Sequence, residues 1–190
     1  MKKTIIGLFV AVTTLGILSL STACNKDKGN YNKSESTQAL VADLSFQVPL
    51  IPAAGEYDNI QGFDFMINMD SFVKSFNKDY TLNSIQSVKL KSCILTSATA
   101  DANNNFRNFH MANLCISSAA NGNLLRIAVA NDIVDTAAYT LSLPTWYDPN
   151  LASYFKCDSI RYRFYGNTRR AVTVPLNCKA SLQYEMILAN

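Results

Sequence analysis

One histidine, His110, serves the whole chain of 190 residues. A Ser–His–Asp triad needs a histidine held between two partners, and imidazole metal sites usually take more than one. His110 opens a predicted strand with no flanking motif, so it reads as a structural residue. A Gly-rich phosphate loop is also missing, which removes nucleotide chemistry as a leading idea, and no cysteine pair has the spacing of a CxxC redox site. Charge is scarce at 16% of residues, below the roughly 25% of soluble proteins. Of 17 basic residues, Lys2 and Lys3 lie in the leader, so the body carries 15 against 14 acidic ones, a net +1. A near-neutral body lacks the basic footprint of a nucleic-acid partner. Asp101, Asn103 and Asn105 echo the start of a calcium loop, but Phe106 replaces the turn glycine and Ala112 the bidentate glutamate, so no metal is expected. The carboxylates Glu56, Asp58, Asp64, Asp132, Asp135, Asp148, Asp158 and Glu185 show no recognisable catalytic setting. Most read as caps and turn residues, although a hydrolytic pair assembled from distant strands leaves no sequence signature. The expectation is a non-enzymatic protein without cofactor.

The N-terminus carries the most specific pattern. Met1, Lys2 and Lys3 form a short positive region, residues 4–20 an apolar run, and Ser21, Thr22 and Ala23 a small-residue stretch before Cys24. This is the layout of a secretory signal peptide. A retained membrane span is the rival, since ~20 apolar residues just cross a bilayer, but Thr13, Thr14, Ser19, Ser21 and Thr22 dilute the run.

At Cys24 the chain resembles bacterial lipoproteins. Ala23 and Thr22 fit the lipobox, while Ser21 stands where leucine is commonest, with Leu20 one place early, a relaxed box similar to those of Bacteroidota-type lipoproteins. The resemblance covers about the first twenty-five residues. It implies cleavage before Cys24, lipidation of that cysteine, export, and a partner membrane, here the outer one with its face undetermined. Two or three acyl chains give a stable anchor where one is marginal. Residues 24–39 contain almost no large apolar side chains and read as a flexible tether.

From Leu40 the hydrophobic period becomes two. Leu44, Phe46, Val48 and Leu50 alternate with polar residues, as do Phe63, Phe65 and Ile67; Val88 and Leu90; Leu125, Ile127 and Val129; Tyr139, Leu141 and Leu143; and Ile160, Tyr162 and Phe164. Each reads as a half-buried strand. Asn121–Gly122 predicts a type I′ hairpin over 112–130. Asp70–Phe76 reads as a short capped helix, Leu151–Phe155 as one or two helical turns, and 172–188 as one bent strand or two. Residues 40–190 are therefore expected to form a single all-β domain, an antiparallel β-sandwich, immunoglobulin-like or related, of about eight strands with one or two short helices. Asp70–Val88 and Asp148–Tyr162 share an order of acidic cap, short amphipathic turn, serine and alternating strand, an echo that a duplicated half-domain would explain but that recurs by chance in β-proteins, the preferred account.

Four cysteines follow Cys24, an even count in an exported chain. Cys93 and Cys115 flank the polar loop at 101–108, and Cys157 and Cys178 flank the Gly166 turn. Disulfides in that sequential order are expected, with buried free thiols as the alternative. Trp146 and Tyr147 fall in a predicted turn, where an aromatic platform for a glycan or peptide would sit. Arg161, Arg163, Arg169 and Arg170 surround one predicted hairpin and would suit an anionic glycan or lipid headgroup. Packed aromatics and a solvated strand face are the plainer accounts. A binding module and a structural or accessory subunit of a surface appendage or outer-membrane complex are the two functional expectations. An exposed Trp146 marks the first, a long unpaired edge strand the second; a small hydrolase would show two carboxylates facing one pocket.

Overall fold

The computed structural model describes residues 35–189, apart from the side chains of residues 56–59. The leader, Cys24 and most of the expected tether lie outside the described residues. Among the described residues eight strands form: β1 (Ser36–Val48), β2 (Gly55–Met66), β3 (Ile85–Ser97), β4 (Phe109–Ser118), β5 (Leu125–Ala130), β6 (Thr140–Ser142), β7 (Ser159–Thr168) and β8 (Leu176–Leu188). They build two antiparallel four-stranded sheets, ordered β1-β8-β3-β6 and β2-β7-β4-β5.

That order has a simple origin. β1 pairs with β8, β2 with β7, β3 with β6 and β4 with β5. The chain is thus one long hairpin closed between β4 and β5, then rolled up so that β8 also meets β3 and β7 also meets β4. The expected sandwich is therefore present, wound as a jelly roll of two Greek keys rather than with the immunoglobulin partition of strands. Advancing each strand number by four converts one sheet's order into the other's. The two echoing segments occupy equivalent places in this scheme: α1 (Met69–Lys74) precedes β3, and a 3-10 turn at Ala152–Tyr154 precedes β7.

Alternation decides which side chains point inward. On β1, Leu40, Ala42, Leu44, Phe46 and Val48 are buried; on β7, Ile160, Tyr162, Phe164 and Thr168; on β8, every second residue from Leu176 to Leu188. The sheets meet through aromatic rings. Phe46 of the first sheet stacks on Phe63 of the second at 4.8 Å and tilts against Phe164 at 5.6 Å, and Phe164 meets Phe109 edge-on at 5.8 Å. At the centre Tyr162 of β7 meets Tyr184 of β8, their hydroxyl oxygens 2.9 Å apart in full burial. Gly166 faces inward where a Cβ would stand 2.9 Å from Ile60 and 3.0 Å from the Met111 carbonyl, so a side chain at this position of β7 would require its neighbours to shift.

Four local expectations change. Ser36–Ala39, assigned to the tether, are the first residues of β1 and pair with Glu185–Leu188; main-chain bonding carries residues that bury little. The β4–β5 hairpin forms without a two-residue turn. Neither Asn121 nor Gly122 has positive φ, and a loop over 119–124 closes through Ser118 N–H to Asn121 O (2.8 Å) and Asn121 N–H to Ser118 Oγ (3.1 Å). The final run is a loop followed by one strand, β8. The four cysteines are free thiols, because the fold separates the expected pairs. Cys93 lies on β3 and Cys115 on β4, in opposite sheets, while Cys157 precedes the start of β7 and Cys178 lies beyond its end, two residues into β8. Burial pushes the Cys93 thiol up to about 12 and that of Cys178 up to about 11, the inert state of a small core residue.

Candidate functional site

The segment after β6 builds the most exposed aromatic feature among the described residues. Pro144–Trp146 runs along β5 as a rudimentary strand: Val129 N–H bonds Pro144 O (2.8 Å), Trp146 N–H bonds Ile127 O (2.9 Å), and Thr145 bridges Ala128. A few residues on, the chain docks on β3. Leu151 N–H reaches Val88 O (2.8 Å), and the Asn150 side chain accepts from Val88 N–H (3.1 Å) while donating to Gln86 O (2.9 Å). Lys89 of β3 holds Asp148. Tyr147 stands between these two attachments with φ of 56°, a left-handed conformation that costs a bulky residue roughly 1–3 kcal/mol. The result of that strained corner is a tyrosine 78% exposed, held from both sides.

Trp146 is half-buried, edge-on to Tyr147 with centroids 5.1 Å apart. The guanidinium of Arg126 covers its ring at 5.7 Å, a geometry in which the cation meets the negative face of the π system. Arg126 continues a cross-strand row over the second sheet's outer face, opposite Cys115 of β4, which is opposite Arg163 of β7, which is opposite Gly62 of β2. Desolvation raises the Cys115 thiol, while the nearby charges of Arg126 and Arg163 act the other way. Arg161 lies two residues along β7, locked to Asp64 through Nε (2.7 Å) and Nη2 (3.2 Å).

Of the six expected platform residues, the fold therefore places Trp146 and Tyr147 together and sets Arg161 and Arg163 on the second sheet's outer face, joined to them by Arg126. Arg169 and Arg170 are elsewhere. They follow the end of β7, and eight residues of extended chain separate Arg161 from Arg169 by ~26 Å. There Arg170 bonds Asp135, Arg169 Nη1 lies 3.9 Å from the same carboxylate, and Arg169 Nη2 donates to Ile133 O. His110 sits beside them, Nε2 3.4 Å from Asp132 and Nδ1 3.5 Å from Arg169.

The loop that echoed a calcium site has its side chains engaged internally. Asp101 Oδ1 caps Asn103 N–H (2.6 Å) and Asn104 N–H (2.8 Å). Asn105 Oδ1 accepts from Arg107 N–H (3.0 Å) and Ala138 N–H (3.1 Å), and Asn104 Oδ1 accepts from Thr173 N–H (2.8 Å). Asn104, Asn105 and Asn108 are all buried. The carboxylates weighed for hydrolysis face cations or N–H groups: Asp64 to Arg161, Asp132 to His110, Asp135 to Arg170, Asp148 to Lys89, Glu185 to Lys91, and Asp158 to Met69 N–H at 2.9 Å. The side chains of Glu56 and Asp58 lie outside the described residues. Among the described residues no three His, Cys, Asp or Glu side chains converge as a metal cluster, and no helix is long and apolar enough to cross a membrane.

Arg126 was not singled out from the sequence, and Asp135 figured there only among the carboxylates weighed for hydrolysis. Arg126 follows Leu125 as the exposed half of an alternating strand and carries no mark of the tryptophan twenty residues later.

No known family model matches the chain, and no curated protein matches it. Among solved structures, the chain is similar to a chain of the infectious bursal disease virus Gx strain, with TM-score 0.37 and 10% identity, over 83% of this chain and 32% of that one. The chain thus spans about a third of that protein's length. It is also similar to chains of Desmodium yellow mottle tymovirus (TM-score 0.26, 12% identity, 90% and 95% covered) and turnip yellow mosaic virus (0.27, 10%, 94% and 91%). At these scores the likeness bears on no function.

Proposed function

We propose that this is a lipid-anchored envelope protein that binds an extracytoplasmic glycan through Tyr147, Trp146 and Arg126, without catalysing a reaction. The carrying observation is Tyr147: a strained backbone, fixed on β5 and β3, that displays a large ring to solvent. A rigid aromatic offers contact area at little entropic cost, and Arg126 and Arg163 add hydrogen-bond donors suited to hydroxyl or acidic groups of a sugar. The lipobox at Cys24 supplies the location and the tether the reach. Glycan-array binding with protein extracted from its native membrane tests both parts, since its mass also reads the acyl chains on Cys24. Tyr147→Ala is expected to weaken the best-bound glycan by tenfold or more, about 1.4 kcal/mol, with the fold unchanged. Equal binding by wild type and variant would remove the platform.

A second reading, assembly, is favoured by β1. This 13-residue strand pairs only with β8 among the described strands, in unbroken register. It contains no proline, lysine or glycine, the usual defences of an edge, and its one charge, Asp43, is turned toward Lys179 of β8 at 2.8 Å. Two copies paired antiparallel about Val41 would set Asp43 opposite Ala39 and avoid opposing like charges. Sedimentation velocity at rising concentration is expected to show a dimer that Val41→Lys disperses. A monomer throughout would sink this reading.

A further inference from the structure

Where β7 ends and β4 begins, three guanidiniums gather around one carboxylate. Arg170 Nη2 donates to Asp135 Oδ2, and Arg169 Nη1 lies 3.9 Å from the same oxygen. Arg107, in the 3-10 turn at Phe106–Asn108, adds its charge to the same neighbourhood. The nearby Asp132 lies 3.4 Å from His110 Nε2. Three guanidinium charges thus stand against the carboxylates of Asp135 and Asp132, leaving the cluster net positive.

The cluster is also built. A buried asparagine turn fastens the backbone of all three arginines: Asn105 Oδ1 accepts from Arg107 N–H (3.0 Å), and Asn108 O accepts from the N–H groups of Arg169 (2.8 Å) and Arg170 (3.4 Å). Asn108 in turn donates to Ala171 O (2.9 Å), closing the loop after β7 onto the one before β4. Arg107 Nε and Arg169 Nε are shut off from water without a hydrogen-bond partner, a cost that internal bonding does not repay. Guanidiniums held this way meet a tetrahedral oxyanion with little further ordering.

We propose that Arg107, Arg169 and Arg170 form a binding site for a phosphate monoester dianion, for which Asp135 is the internal competitor. The site is separate from the Tyr147 platform and does not depend on it. The same chemistry is presented by inorganic phosphate, a sugar phosphate or a phosphatidic acid headgroup.

Isothermal titration of the full chain with inorganic phosphate, glucose 6-phosphate and dihexanoyl phosphatidic acid, at constant ionic strength set with chloride, tests the proposal. Wild type is expected to bind phosphate over chloride. Arg170→Gln should weaken binding about tenfold, and Asp135→Asn, which removes the competitor, should tighten it about tenfold. Both substitutions fall on exposed groups, and Asp135→Asn decides the matter even if Arg170→Gln fails to fold. The ranking of the three ligands supports the site in any order and names the source. Heats indistinguishable from chloride, or an Asp135→Asn protein that binds no tighter than wild type, would overturn it.

Discussion

Phe164→Ala is expected to lower the unfolding free energy by about 3–5 kcal/mol, the range for removing a buried phenylalanine and leaving a cavity. Phe164 is fully buried on β7 and touches Phe46 of the opposite sheet and Phe109 of β4. It is thus one of the side chains through which the two sheets hold each other. Domains are stable by only about 5–15 kcal/mol, so the variant should lose a large share of its margin. In urea, at a slope of about 2 kcal/mol/M, the midpoint should fall by roughly 1.5–2.5 M with the slope unchanged. A loss under about 1.5 kcal/mol would mean that the sheets close over the vacancy and that the aromatic contacts described above are not what joins them.

High pH should unfold the protein, for a reason visible in the core. Burial raises the thiols of Cys93 and Cys178 and the phenols of Tyr162 and Tyr184. Each group is therefore held neutral in the fold but ionises freely once the chain unfolds. With the folded values above the unfolded ones, the stabilisation is intact below pH ~9 and declines above it, first through the thiols and from pH ~10 through the phenols as well. Each group contributes a slope of up to about 1.4 kcal/mol per pH unit, so four together approach about 5 kcal/mol per unit. Urea titrations between pH 8 and 11 check this, a flat profile being the contrary result. The tyrosine pair adds an internal control. Tyr184→Phe strands the Tyr162 hydroxyl in an apolar core at a cost of about 1–3 kcal/mol. Adding Tyr162→Phe removes both hydroxyls, so the double variant should be more stable than the single one and decline more shallowly above pH 10.

The strands were legible in the sequence because each buries one face, and burial on one face writes a period of two. Leu44, Phe46 and Val48, or Ile160, Tyr162 and Phe164, state which side is inward without reference to any neighbour. Partners are a different matter. Nothing in Ser36–Leu40 announces that it lies beside Tyr184–Leu188, since alternation fixes a face and leaves the pairing open. That is why the sandwich was expected but its jelly-roll winding was not, and why Cys93 and Cys115 seemed near one another although the roll puts them in opposite sheets. The aromatic corner at Trp146–Tyr147 was visible as a turn, but its arginine partner, Arg126, comes from a neighbouring strand. The arginines grouped as one patch divide because Arg161 and Arg169 lie toward opposite ends of β7. Least legible were Asn104, Asn105 and Asn108. A run of asparagines reads as a solvated loop, and their burial depends on donors and acceptors at Thr173, Ala138 and Ala171.

The place of β8 has a consequence for how the molecule comes into being. It is the last of the described strands in sequence, yet it lies between β1 and β3 in the interior of its sheet. As the polypeptide emerges from a ribosome or a translocation pore, β1 precedes its sheet partner β8 by some 140 residues and stays unpaired until that strand has followed. Closing so long an interval makes formation slow, and an unpaired apolar strand waiting in the meantime invites wrong associations. Newly made copies would therefore pass through a vulnerable stage with both edges of β1 bare, which ends only when β8 slots into the sheet.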